Sequence, residues 1–97
     1  MPPEIRRVSD EERRSIFNTH YLRRYQRREL REVIISEKAV QRPWLRTGHG
    51  RRITSILYDN GTRLAICVYF RNADGSLAAS RLPDPKWVYH DGVIYTE

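Results

Sequence analysis

Cysteine is almost missing from this chain. Cys67, inside the run AICVYF, stands alone, so no disulfide and no cysteine-based metal site can form within one molecule. Its apolar neighbours mark it as a small buried hydrophobe. Lysine is nearly as scarce, with two residues against sixteen arginines. No apolar run approaches the roughly 20 residues of a membrane-spanning helix. The opening MPPEIRRVSDEE has no apolar stretch behind its charges, so it is not expected to act as a secretory signal. A soluble, cytoplasmic protein with no membrane association is expected. Histidines are few and far apart: His20, His49 and His90 share no element at metal-ligand spacing. There is no phosphate-cradling glycine loop and no nucleophile elbow. Neither a metal nor a cofactor is expected.

Acidic residues are thin in one half only. Residues 1–52 hold 14 Lys/Arg and 7 Asp/Glu, net +7; residues 53–97 hold 4 and 5, net −1, which together give the +6 of the whole chain. Positive charge concentrated in this way favours a polyanionic partner, nucleic acid first and an acidic protein second. Arginine in place of lysine suits planar, bidentate recognition of phosphate or carboxylate, although a GC-rich coding sequence also favours arginine.

What is present suffices for one domain, residues 1–97, with two Trp, six Tyr and two Phe as bulky core candidates. Residues 1–8, with Pro2 and Pro3, read as an extended lead-in. Ser9 followed by Asp10, Glu11 and Glu12 is a helix start. The spacing predicts one long basic helix over residues 10–31. Phe17, Tyr21, Leu22 and Tyr25 fall on one arc, and Arg13, His20, Arg23, Arg24, Arg27, Arg28 and Arg31 on a neighbouring one. The run VIIS (33–36) fits either a strand or the helix end. Residues 41–52, QRPWLRTGHGRR, read as a Pro/Gly/Arg loop, with Trp44 as its anchor into the core.

Residues 53–97 read as a β-meander. Asn60-Gly61 between alternating runs signals a two-residue hairpin pairing Leu57 with Leu64, Ser55 with Ile66 and Ile53 with Val68. Those six would share the face that packs on the helix. The opposite face would then carry Arg52, Thr54, Ile56 and Tyr58 against Arg63, Ala65, Cys67 and Tyr69. NADG (72–75) turns into a weaker strand around 76–82, LPDPK (82–86) is a break, and Asp91-Gly92 tips a final hairpin pairing His90 with Val93 and Val88 with Tyr95. The expected fold class is α+β: one long N-terminal helix packed on an antiparallel β-meander of four to five strands.

Three clusters carry candidate function. Arg23, Arg24, Arg27, Arg28 and Arg31 crowd one helix face with no interleaved glutamate, and like charges one turn apart repel; such a face reads as a contact surface for a polyanion. Arg46, Arg51 and Arg52 in the loop extend it, with Trp44 as an alternative stacking ring. Tyr58, Tyr69, Arg52 and Arg63 would make an aromatic and basic sheet surface of the kind that stacks RNA bases. The expected function is a small, non-enzymatic RNA- or DNA-binding module. An adaptor or inhibitor gripping an acidic protein, for example one of phage origin, is the alternative from the same charges.

The order of helix, Pro/Gly basic loop and strand meander resembles the RelE/HigB-type ribonuclease toxins. The stretch LRTGHGRRI followed by GTRLAICVYF is similar in layout to the corresponding part of that family. The resemblance implies metal-independent cleavage of messenger RNA, with Arg63, Arg81, Lys86, Tyr89 and His90 as candidates to bind phosphate or move protons.

Overall fold

Ser9 starts the first helix as its chemistry requires. Its hydroxyl accepts from the Glu12 backbone N–H at 3.1 Å, and Asp10, Glu11 and Glu12 fill the first turn. The cap satisfies a free N–H, and the carboxylates sit at the positive end of the helix dipole. In the computed structural model, which describes residues 2–78 and 82–97, this helix, α1, spans Asp10–His20. Tyr21 leaves the helical region (φ −127°, ψ −20°), and a second helix, α2, covers only Leu22–Gln26. The Arg28 N–H donates to the Tyr25 carbonyl at 3.0 Å and the Glu29 N–H to the Arg24 carbonyl at 2.9 Å, with Arg28 at φ 58°. Those two bonds around a left-handed residue are a Schellman cap, and they end the helix there.

The expected long helix over residues 10–31, on a meander of four to five strands, is therefore corrected. Six strands form one sheet: β1 (Glu4–Arg7), β2 (Arg31–Gln41), β3 (His49–Asp59), β4 (Thr62–Asn72), β5 (Asp84–His90) and β6 (Val93–Thr96), in the order β1-β6-β5-β4-β3-β2. Neighbours are antiparallel except β1, which runs parallel to β6. The lead-in is thus an edge strand, and the ambiguous VIIS lies inside an eleven-residue strand. Glu37, Lys38 and Ala39 are good helix formers, but here β2 pairs with β3 along nearly its whole length. Backbone pairing to a partner strand outweighs a propensity preference of a few tenths of a kcal/mol per residue. The basic loop shrinks to residues 42–48, since His49–Arg52 belong to β3. LPDPK is no break either: Asp84, Pro85 and Lys86 open β5. Pro85, with no N–H to donate, sits at the register shift against β4. Of the weaker strand around 76–82, a single bridge, Arg71 to Leu77, is seen; residues 79–81 lie outside the described residues.

Both helices lie on one side of the sheet. Phe17, fully buried, packs with Leu30, Leu57, Leu64, Ala65, Cys67 and Val88, flanked by Ile16, Tyr21, Leu22, Tyr25 and Tyr89. Burial pushes the Cys67 thiol and the Tyr25 hydroxyl well up from their ordinary values. Arg13, assigned to the basic arc, is 1% exposed. It donates to the carbonyls of Pro85 (3.1 Å) and Val8 (2.6 Å) and pairs with Asp10, so it pins α1 to β5 and to the exit of β1.

The hairpin turn forms as its residues dictate, with Asn60 at φ 52°, Gly61 at φ 85°, and Asp59 opposite Thr62. The register beyond it is another matter. Tyr58 faces Arg63, but Leu57 faces Ala65, Ser55 faces Cys67 and Ile53 faces Tyr69, because Leu64 is an extra residue at a bulge. The two-residue turn alone would have paired Leu57 with Leu64. A shift of one residue exchanges the faces of everything after it. Ala65, Cys67 and Tyr69 therefore turn to the helix side, and Ile66 and Val68 to the other. The Asp91-Gly92 hairpin keeps its expected register, His90 with Val93 and Val88 with Tyr95.

Candidate functional site

Strand alternation and the ladders assign the side chains of the sheet face that carries no helix. From β2 come Arg31, Val33, Ser36, Lys38 and Val40; from β3, Arg52, Thr54, Ile56 and Tyr58. β4 adds Arg63, Ile66, Val68 and Phe70, β5 adds Trp87, and the far edge adds Ile5, Arg7, Ile94 and Thr96.

A second bulge sorts the charges. Residues 32 and 38 have the same parity, so an unbroken β2 would put Glu32 and Lys38 on one face. The register shift between Ile34 and Ser36 reverses the alternation. Glu37 joins Glu32 on the helix side, where Glu32 accepts from the Tyr69 hydroxyl at 3.1 Å and Glu37 pairs with Arg51 at 3.1 Å. Lys38 joins Arg31 on the open face.

The consequence is an imbalance between the two sides. Arg7, Arg31, Lys38, Arg52 and Arg63 all lie on the open face, and none has a carboxylate partner among the described residues. The ion-paired bases, Arg6, Arg13, Arg14, Arg24, Arg46, Arg51 and Lys86, are bound elsewhere. The one acid that the ladder sets opposite an open-face residue, Asp84, is tied to Lys86 at 2.9 Å and lies 3.9 Å from Arg14.

The open-face bases are interleaved with rings. Arg31 pairs with Tyr58, Tyr58 pairs with Arg63, and the Arg63 guanidinium lies 5.8 Å from the centre of the Trp87 ring. This makes a row of base, ring, base, ring across four strands, held by the cation–π contact. At the other end of the face, Lys38 pairs with Arg52 and Arg52 with Phe70, whose ring meets Trp44 edge-on at 4.8 Å. Gly50 lets Leu45 of the adjoining loop and the β4 backbone come close to β3. A Cβ there would lie 2.2 Å from the Arg71 carbonyl oxygen and 3.1 Å from Leu45. Leu45, 3% exposed, is the buried residue of loop 42–48, whereas Trp44 remains 48% exposed. The anchoring role expected of Trp44 thus falls to its neighbour.

The other sequence candidates scatter. Arg24 donates two hydrogen bonds at 2.9 Å to Asp59, and Arg46 pairs with Asp74 at 2.8 Å. Arg23 and Arg27 are exposed on and just after α2, next to the left-handed Arg28, and none of the three has an ion pair among the described residues. The crowded helix face does not exist as one surface: of its five arginines only Arg23 and Arg24 are helical, and Arg31 belongs to the sheet. Of the residues the toxin resemblance implied, Arg63 sits on the open face, whereas Tyr89 packs against the core under the helices. Lys86 is bound to Asp84, and Arg81 lies outside the described residues. His90 is on the helix side, where its ring stacks on His20 at 3.8 Å and its Nδ1 lies 3.0 Å from the Tyr21 hydroxyl. That hydroxyl also donates to the Tyr89 carbonyl at 2.9 Å, and burial raises its pKa. Trp87, Phe70, Lys38 and Arg7 were missed in the sequence. Their alternation was readable once residues 4–7 and 31–41 were taken as strands, but the bulges that set its phase were not.

No group of three or more metal-binding side chains occurs among the described residues, and no helix among them is long and apolar enough to cross a membrane. No protein-family model, curated protein or solved structure matches the chain.

Proposed function

We propose that the protein binds nucleic acid on its open sheet face, with Arg31, Arg63, Arg52 and Lys38 on phosphates and Tyr58 and Trp87 against bases. One observation carries this reading: five bases share that face with none of them on a carboxylate among the described residues, while Asp59, Asp74 and Glu37 elsewhere are each matched to an arginine. Unpaired guanidinium groups beside half-buried rings supply both the counterion-releasing contacts and the stacking that nucleic-acid binding uses. An acidic protein would satisfy the charges, but it gives no role to the rings between them.

The test is the salt dependence of binding to a mixed-sequence single-stranded RNA and its DNA equivalent. Arg31→Gln with Arg63→Gln should flatten the log K against log salt slope by roughly 1.4 to 1.8, at about 0.7–0.9 per phosphate contact. Arg46→Gln, which removes a side chain already held by Asp74, should change it far less. No binding by the unaltered protein at about 50 mM salt, where such contacts are strong, would end this reading.

A further inference from the structure

The two basic and aromatic rows stand at opposite ends of the same face. They are six residues apart along β3, from Tyr58 to Arg52, or roughly 20 Å at the usual rise of a strand. Between them, on β2 to β4, the face is apolar or hydroxylic: Val33, Ile56 and Ile66, then Ser36 and Thr54, with Val68 buried opposite Asp84 at its far side. Each row ends in a tryptophan, Trp87 beneath Arg63 and Trp44 beside Phe70.

From this arrangement we infer that the ligand is a single strand, held at two stacking subsites and spanning the stretch of β2 to β4 between them, where the open face carries no charge. The inference rests on the nucleic-acid reading and narrows it. A duplex keeps its base faces stacked inside and shows phosphates along its whole surface. It would set charge against Val33, Ile56 and Ile66 and leave both tryptophans without a base. A single strand places phosphates on Arg31 and Arg63 at one end and on Arg52 and Lys38 at the other. One base stacks on Trp87 and another on the exposed face of Trp44, and intervening bases lie over the apolar middle. The span sets the footprint near the low end of the roughly 4–16 nucleotides that single-strand-binding grooves cover.

The experiment uses oligopyrimidines of two to twelve nucleotides, a blunt duplex, and intrinsic fluorescence. Trp44 and Trp87 are the only tryptophans, so replacing one leaves the other as reporter. Affinity should climb with length and level off once both subsites are bridged. On the longest oligonucleotide, Trp44→Leu and Trp87→Leu should each weaken binding about tenfold or more, the scale of one lost base stack. Phe at either position should restore most of the loss. On the dinucleotide, each variant should still bind at the subsite it retains, with quenching of its remaining tryptophan. Equal affinity for the dinucleotide and the twelve-mer, no effect of Trp44→Leu on the twelve-mer, or a duplex that binds as tightly as the single strand would each overturn the two-subsite inference and leave the broader reading in place. Absence of binding to every nucleic acid tried would instead remove that reading itself.

Discussion

Ser55 is the least comfortable residue in the core. It is fully buried opposite Cys67, and its hydroxyl finds no hydrogen-bond partner among the described residues. A buried orphan hydroxyl costs about 1–3 kcal/mol, so Ser55→Ala should raise stability by about 1 kcal/mol. The readout is a higher urea midpoint at unchanged slope. A lower midpoint would mean that the hydroxyl has a partner. Asp59 is the opposite case. Hydrogen bonds from the Arg24 guanidinium hold its carboxyl below the usual carboxylate range. A lowered folded pKa contributes stability that is present above the unfolded value of about 3.9 and is lost as pH falls through the folded one. A carboxyl NMR titration should give Asp59 a midpoint below that of an ordinary aspartate, returning to normal in Arg24→Gln. Identical midpoints in both proteins would show that the pair does not persist in solution.

At the scale of elements, the decisive feature is the end of α2. A left-handed C′ position is usually glycine, since a Cβ there costs about 1–2 kcal/mol. Here Arg28 occupies it. Arg28→Gly should therefore be neutral or stabilising, by up to about 1 kcal/mol, once the greater chain entropy of glycine is subtracted. Were residues 10–31 a continuous helix, the same change would cost about 1 kcal/mol, so the sign of the shift in melting temperature separates the two. The bulge in β2 works at the same scale. One extra residue converts a strand that would have carried mixed charge on each face into one with acids toward the helices and bases toward the open side.

Across the whole molecule, the chain's two ends meet where β1 pairs with β6, in register from Glu4 with Val93 to Arg7 with Thr96. The centre of the sheet, β3 to β5, supplies much of the buried core under the helices, whereas β1 is four residues long and exposed at each of them. Opening free energies follow burial and pairing, so β1 amides should exchange with deuterium well before those of β4. Exchange of β1 at the rate of β4 would mean that the closing strand unfolds only with the rest. The net charge of +6 is expressed unevenly in this frame. Acids neutralise Arg13, Arg24, Arg46 and Arg51 around the helices and turns, and leave positive both the open face and the exposed Arg23, Arg27 and Arg28 beside α2.

Local chemistry, acting over a few residues, could be read from the sequence. The Ser9 cap, both hairpin tips, the burial of Phe17 and Cys67 and the concentration of positive charge in the first half needed no knowledge of distant partners. The partition of Tyr58, Arg52 and Arg63 onto one sheet face also follows from alternation and a two-residue turn. Tertiary structure alone decided the rest. Arg31–Gln41 became a strand because β3 offered it a ladder, and the arginine run lost its single face when the helix ended at a left-handed arginine that no local rule marks. Three bulges, at Leu64, between Ile34 and Ser36, and at Lys86, set which side chains face the helices. A bulge is a response of one strand to the register of another, and so its position is not encoded in either strand alone.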